Sequence, residues 1–172
     1  MTSRPLILSA SIDETDLEVF DALRRRHFPP QRNFLRAHLT LFHHFPGSEL
    51  ELVRRGVAQA AAKLPVLSAT VNGLRHLGSG VAFTIECAAL LALRTELSHA
   101  FGPWLGAQDR QGWRPHITVQ NKVPKADADN LFAHLKATFE PWVVTINGVD
   151  LWHYMDGPWQ HEAHAGFMAA SI

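Results

Sequence analysis

Cysteine is almost absent from this sequence of 172 residues, which contains only Cys87. A single thiol excludes an internal disulfide and favours a reducing compartment. The 16 basic and 16 acidic side chains leave no formal net charge, so the whole molecule has no strong attraction for long polyanions. The sequence also lacks an apolar run long enough to span a membrane, and its first residues lack the features of a signal peptide. We therefore expect a cytoplasmic protein that does not enter a membrane.

One short pattern is present twice, 78 residues apart, and this repeat is the strongest signal in the sequence. It reads Arg-x-His-apolar-Thr-apolar, followed by three residues, an apolar residue and a proline. The two copies supply three polar side chains each: Arg36, His38, Thr40, Arg114, His116 and Thr118.

The spacing of the hydrophobic residues is also similar in the two halves of the sequence. Two strand–helix–strand–helix–strand units are predicted, over residues 4–76 and 80–154, with a last strand at 159–170. We expect an α+β fold in one bilobal domain, residues 1–172, whose lobes are related by approximate two-fold symmetry. Two mixed or antiparallel sheets would face a central cleft, with helices outside.

Four local features are specific enough to be tested by a structure. Asp13 is a predicted N-cap of the first helix, and Ser48–Glu51 has the form of a capping box. The two motifs are predicted to lie in strands, over Phe34–His44 and Trp113–Lys122.

Strand alternation gives the repeated pattern a chemical meaning. Successive side chains of a strand point to opposite faces, so the arginine, histidine and threonine of each copy share one face. Two-fold symmetry would bring His38 and His116 together across the cleft. A histidine titrates near about pH 6.5, so one ring can act as base and the other as acid on a phosphodiester. The threonine hydroxyls, and the arginines Arg36 and Arg114, could bind phosphate oxygens.

Weaker candidates have competing explanations. Alternation places His44 on the histidine side, with Lys122 at the matching position of the second repeat, where either would contact phosphate or simply end a strand. Aromatic residues either flank the cleft and stack on a base or pack in the core: Phe34, Phe42, Trp113, Trp152 and Tyr154. His153, His161 and His164 raise the alternative of a metal-binding protein, although zinc sites usually also use cysteines or carboxylates.

The paired His-x-Thr motifs in a duplicated chain of this length resemble the 2H phosphoesterase superfamily, and most closely its bacterial 2′-5′ RNA ligase or RNA 2′,3′-cyclic phosphodiesterase branch. The closing segment, residues 149–159, resembles the last hairpin of that family. The resemblance implies that His38 and His116 are the catalytic pair and that Thr40 and Thr118 hold the phosphate. It also implies hydrolysis of a 2′,3′-cyclic phosphate, or reversible 2′-5′ ligation of RNA, without a metal or other cofactor.

The leading hypothesis is therefore a cyclic phosphodiesterase acting on an RNA 3′ end or on a small cyclic or 2′-5′ nucleotide. The main alternative is an RNA- or nucleotide-binding module of the same fold that no longer turns over its ligand. We expect a monomer without a stable protein partner.

Overall fold

The computed structural model describes residues 3–168, which form seven strands and five helices. The strands are β1 (Leu6–Ile12), β2 (Thr40–Phe45), β3 (Leu67–His76), β4 (Val81–Glu86), β5 (His116–Gln120), β6 (Trp142–Tyr154) and β7 (Trp159–Gly166). The helices are α1 (Glu14–His27), α2 (Leu50–Ala61), α3 (Ala88–Ala100), the short α4 (Ala107–Arg110) and α5 (Lys125–Thr138). No helix in this part of the chain is long and apolar enough to cross a membrane.

The seven strands form one sheet with the order β2-β1-β6-β3-β4-β5, and β7 also pairs with β6. The six pairings between them are all antiparallel. The first part of β6 pairs with β3 and its later part pairs with β7. The two sheets expected from the repeat are therefore two halves of one sheet, joined because β6 is long enough to serve both.

The core is built from both halves. Phe20 of α1 is fully buried and packs against Phe83 of β4 and Trp142 of β6, at ring-centroid distances of 5.5 and 5.6 Å. Helix α1 thus belongs to the first repeat but packs on the second half of the sheet, where it also contacts β5. This packing ties the two repeats into a single hydrophobic cluster.

Most predicted elements are present, but both motif strands are shorter than predicted. β2 begins at Thr40, so Arg36 and His38 precede it, and β5 begins at His116. Asp13 is the N-cap of α1, and its side chain accepts a hydrogen bond from the Thr15 amide at 3.1 Å. The predicted capping box at Ser48–Glu51 is wrong, because a 3₁₀ turn over Gly47–Glu49 precedes α2 and no side chain caps that helix. The last strand ends at Gly166, and positions 169 and 170 of its predicted range lie outside the described residues.

Candidate active site

A cavity of about 620 Å³ contains the histidine and threonine of both motifs. Its lining is rich in basic and polar side chains, and none of the described residues that line it is acidic: His38, Thr40, His43, Arg75, Arg94, Gln108, Gln111, Gly112, Trp113, Arg114, His116, Thr118 and Trp159. Although the chain has no net charge, basic side chains are gathered around this cavity. Such a distribution favours an anionic ligand.

The two motif histidines are held in the same way. Nδ1 of His38 lies 2.8 Å from the carbonyl oxygen of Arg36, and Nδ1 of His116 lies 2.7 Å from that of Arg114. A carbonyl can only accept, so Nδ1 of each ring carries the proton and Nε2 of the neutral ring remains an acceptor. The local backbone therefore sets the tautomer that a general base requires.

Both rings favour the neutral form in the empty cavity. Burial lowers the pKa of His38 to about 4, and the nearby charge of Arg24 acts in the same direction. Burial also lowers the pKa of His116, helped by the charge of Arg75. At neutral pH both Nε2 atoms can accept a proton, so the acid needed for a leaving group must gain its proton when an anion binds.

The two motif arginines have different surroundings. Arg114 lines the cavity. Arg36 lies outside it, contrary to the expected shared face, because Glu14 and Asp21 of α1 hold its guanidinium at 2.6 and 3.0 Å. Only the second repeat thus places its motif arginine in the cavity that contains both histidines, whereas Arg36 lines an adjoining pocket.

Strand alternation predicts His44 at the cleft, but the structure places His43 there. β-Bulges interrupt the pairing of β2 with β1, and both Leu41 and Phe42 are buried. A bulge reverses the faces of the residues that follow it, so His43 lines the cavity and His44 does not. Lys122 follows the end of β5 in a left-handed conformation, with a φ of 61°, and also lies outside the cavity.

The second repeat is longer just before its motif. His38 follows Arg24 by 14 positions, whereas His116 follows Arg94 by 22. Each stretch contains a 3₁₀ turn, Pro30–Arg32 in the first repeat and Gly102–Trp104 in the second, and the additional length accommodates helix α4. Helix α4 brings Gln108 to the cavity wall and buries Asp109 beside His43.

Several lining residues were missed by the sequence analysis, among them Arg75, Gln108, Gln111 and Trp159. Arg94 carried a usable signal, because it interrupts the apolar face of α3, four positions after Leu90 and three before Leu97. A charged side chain on a buried helix face must find polar partners, and it is therefore a candidate for a role in the core or the site.

An aromatic groove adjoins the cavity. A second pocket of about 380 Å³ shares His38 and Trp159 with the first, and Phe34 and Trp152 also line it. The Trp159 ring lies 4.6 Å from the His38 ring and 6.0 Å from that of Trp152, between centroids. A flat ligand bound here would continue directly from the motif histidines.

The remaining predicted aromatic residues have separate places. Trp113 lines the main cavity, and its Nε1 donates to the Thr40 carbonyl at 3.0 Å. Phe42 is fully buried in the core. Tyr154 is exposed and lines neither pocket.

The three late histidines pair with carboxylates of the β6–β7 hairpin. His161 and His164 each lie 2.9 Å from the same oxygen of Asp150, and His153 lies 2.9 Å from Glu162. Among residues 3–168 no group of three or more His, Cys, Asp or Glu side chains is arranged to hold a metal ion.

Comparisons with known proteins show the family and the fold of the chain. The family described as the 2′-5′ RNA ligase superfamily matches residues 11–158. The crystal structure of TT0787 of Thermus thermophilus has a TM-score of 0.69 at 15% identity, covering 97% of this chain and 100% of that one. Structures of E. coli LigT with phosphate and with 3′-AMP have TM-scores of 0.64 and 0.65 at 15% identity, covering 98% of this chain and 99% of theirs. A search of curated proteins gave no match.

Proposed function

Because the chain belongs to the 2′-5′ RNA ligase superfamily, a superfamily of enzymes, we propose that it is a metal-independent phosphodiesterase that hydrolyses 2′,3′-cyclic phosphates of RNA ends or nucleotides. Ligation to a 2′-5′ bond would be the same chemistry with a 5′-hydroxyl in place of water. The supporting observation is that one basic cavity contains both motif histidines, with their rings held alike. The structures of LigT complexed with phosphate and with 3′-AMP support a nucleotide phosphate as the ligand.

The reaction needs one proton acceptor and one proton donor. Nε2 of one histidine takes a proton from water as the water oxygen bonds to phosphorus. The other histidine, protonated in the complex with the anionic substrate, gives its proton to the ribose oxygen as that P–O bond breaks. The product is a phosphomonoester on one ribose hydroxyl and a free neighbouring hydroxyl.

The remaining groups stabilise negative charge on phosphorus. The hydroxyls of Thr40 and Thr118 can donate to non-bridging phosphate oxygens, and Arg114 and Arg75 can add charge-assisted contacts. Pre-placed donors of this kind are worth most in the transition state, where the charge is greatest.

The direct test is incubation with 2′,3′-cyclic AMP and with an RNA oligomer ending in a cyclic phosphate, both in EDTA. The wild type is compared with a His38→Ala/His116→Ala variant and with a control, His99→Ala/His134→Ala, which removes two exposed histidines outside the cavity. We expect cleavage by the wild type and the control alone. Cleavage by the cavity variant would refute the proposal, and inhibition by EDTA would refute metal independence. If the wild type binds the ligand but none of the three proteins turns it over, the protein is a binding module instead.

A further inference from the structure

The cavity contains a third histidine whose ring is also fixed. Nδ1 of His43 lies 3.0 Å from Oδ1 of Asp109. The same carboxylate accepts hydrogen bonds from the backbone amide of His43, at 2.9 and 3.0 Å, and from that of His44, at 3.0 Å. Nδ1 of His43 therefore donates to a carboxylate, and Nε2 has no protein partner among residues 3–168.

Asp109 is built to stay charged in a buried position. Only 3% of its surface is exposed, and Arg94 fixes its backbone by donating to its carbonyl oxygen at 3.0 Å. Burial acts to raise the pKa of Asp109, but the hydrogen bonds from the side chain and amide of His43 outweigh it, and the pKa is lowered. The contact fixes the orientation of the His43 ring, with Nδ1 toward Asp109 and Nε2 free to face a ligand.

His43 is also close to both motif rings. Burial is the main cause of the lowered pKa of His38 and of His116, and a positive charge on His43 would act in the same direction. All three side chains line the same cavity. Its side chain is 41% exposed, so the ring has access to a ligand. A histidine needed only to anchor α4 would not have to face the cavity, because the backbone amides already bind Asp109.

We propose that His43 is a phosphate-binding residue that donates from Nε2 to a non-bridging oxygen of the substrate, with Asp109 as its positioning residue. The inference rests on the proposed function for the identity of the substrate, a phosphodiester anion, but the binding of phosphate can be tested without turnover. Two irregularities bring His43 and Asp109 together. The bulge in β2 turns His43 toward the cavity, and the additional residues before the second motif form α4, which contains Asp109.

The test compares His43→Gln with His44→Gln, a matched control whose side chain lies outside the cavity. Two quantities are measured: the affinity for inorganic phosphate, with ¹⁵N spectra of the imidazole rings, and kcat/KM for 2′,3′-cyclic AMP. Loss of one charge-assisted hydrogen bond should lower both about tenfold or more in His43→Gln. The control should stay within about twofold of the wild type. In the wild type, phosphate should move the His43 nitrogens to the shifts of a protonated ring.

Asp109→Asn provides a second readout. Asparagine keeps one carbonyl acceptor but removes the charge. The ¹⁵N shifts of His43 in the phosphate complex should therefore no longer be those of a protonated ring. If this variant does not fold, His43→Gln alone decides the question, because its partly exposed ring can be replaced without opening the core.

The outcomes separate the two hypotheses. Turnover with unchanged phosphate affinity and kcat/KM in His43→Gln would overturn the role of His43 and leave the proposed function in place. Phosphate binding that depends on His43 in a protein without turnover would support the role of His43 and contradict the proposed reaction.

Discussion

Arg24 and Arg94 occupy matching places in the two repeats, and each donates to the motif strand of the other repeat. Nη1 of Arg24 lies 3.1 Å from the carbonyl oxygen of Thr118, and Nε of Arg94 lies 2.8 Å from that of Leu41. Both side chains are buried, at 4% and 8% exposure. The backbones that carry the two motifs are thus held by a reciprocal pair of cations.

Removing one of these cations should destabilise the whole fold. Arg24→Met leaves the carbonyls of Leu35 and Thr118 and the side chain of Asn33 without their donor. We expect a loss of about 3–5 kcal/mol in the free energy of unfolding, since each buried orphan costs about 1–3 kcal/mol. Arg26→Met, on the exposed side of the same helix, should stay within about 0.5 kcal/mol. Urea unfolding checks both variants, and equal losses would contradict a stabilising role for the hydrogen bonds of Arg24.

The lowered pKa of His38 predicts a stability that falls in mild acid. In the unfolded chain His38 binds a proton below its ordinary pKa of 6.5. In the folded protein its pKa is about 4, so the ring stays neutral over this interval. The unfolded state therefore gains protons first, and stability decreases as pH falls from 6.5 towards 4. At pH 5 the decrease would be about 2 kcal/mol at most for this group.

The comparison for this effect is His38→Gln, which cannot titrate. Its stability, measured in urea at pH 7 and pH 5, should fall less than that of the wild type over the same interval. Parallel losses in the two proteins would show that another group is responsible.

Trp159 should contribute to nucleoside binding. Its ring lies against His38 and lines both pockets, and stacking of a base on an aromatic side chain is worth about 1–3 kcal/mol. We expect Trp159→Ala to raise KM for 2′,3′-cyclic AMP about tenfold, and Trp159→Phe to restore most of the affinity. A similar KM for both variants and the wild type would place the base elsewhere.

Substrates with different leaving groups should assign the acid and the base. Replacing the general acid by alanine matters less when the leaving oxygen needs no proton, as in a p-nitrophenyl phosphodiester. Of His38→Ala and His116→Ala, the one whose rate deficit shrinks on that substrate carries the acid. Each variant should lose about 10²–10⁴-fold in kcat on a cyclic nucleotide, and equal deficits on both substrates would contradict the division of roles.

Gly80 should tolerate no side chain. A Cβ at this position would lie 1.9 Å from the carbonyl oxygen of Gln120, so β4 and β5 would have to separate. We expect Gly80→Ala to cost at least about 2 kcal/mol of stability. Gly102→Ala, where nothing lies within 4 Å, should be neutral or slightly stabilising. Thermal unfolding of the two variants distinguishes these outcomes.

The repeated pattern was sufficient to predict the α+β fold and the meeting of His38 and His116. Alternation and helical spacing are local rules, and they hold where a strand or helix is regular. The resemblance to 2H phosphoesterases was likewise carried by local motifs, and the family match confirms it.

The errors occurred where tertiary contacts override these rules. Arg36 lies outside the main cavity because carboxylates of α1 bind its guanidinium. A strand pattern contains no information about such a contact. His43 and His44 exchanged faces because of a bulge, and a bulge depends on the partner strand. The buried charge Arg94 was visible in the sequence as an arginine four positions after Leu90 on an otherwise apolar helix face. Arg24 follows Phe20 by four positions in the same way.

The sharing of β6 has a consequence for the synthesis of the chain. A ribosome that has made residues 1–140 has produced every motif residue, yet β1 still lacks its partner across residues 146–153 and β3 lacks its partner across residues 142–146. Pairing between distant parts of a chain is slow because the entropy of closing the loop is lost before the stabilising contacts form. The half of the sheet that contains β3 can therefore complete its pairing first, and the half that contains β1 waits until residues 146–153 of β6 have emerged.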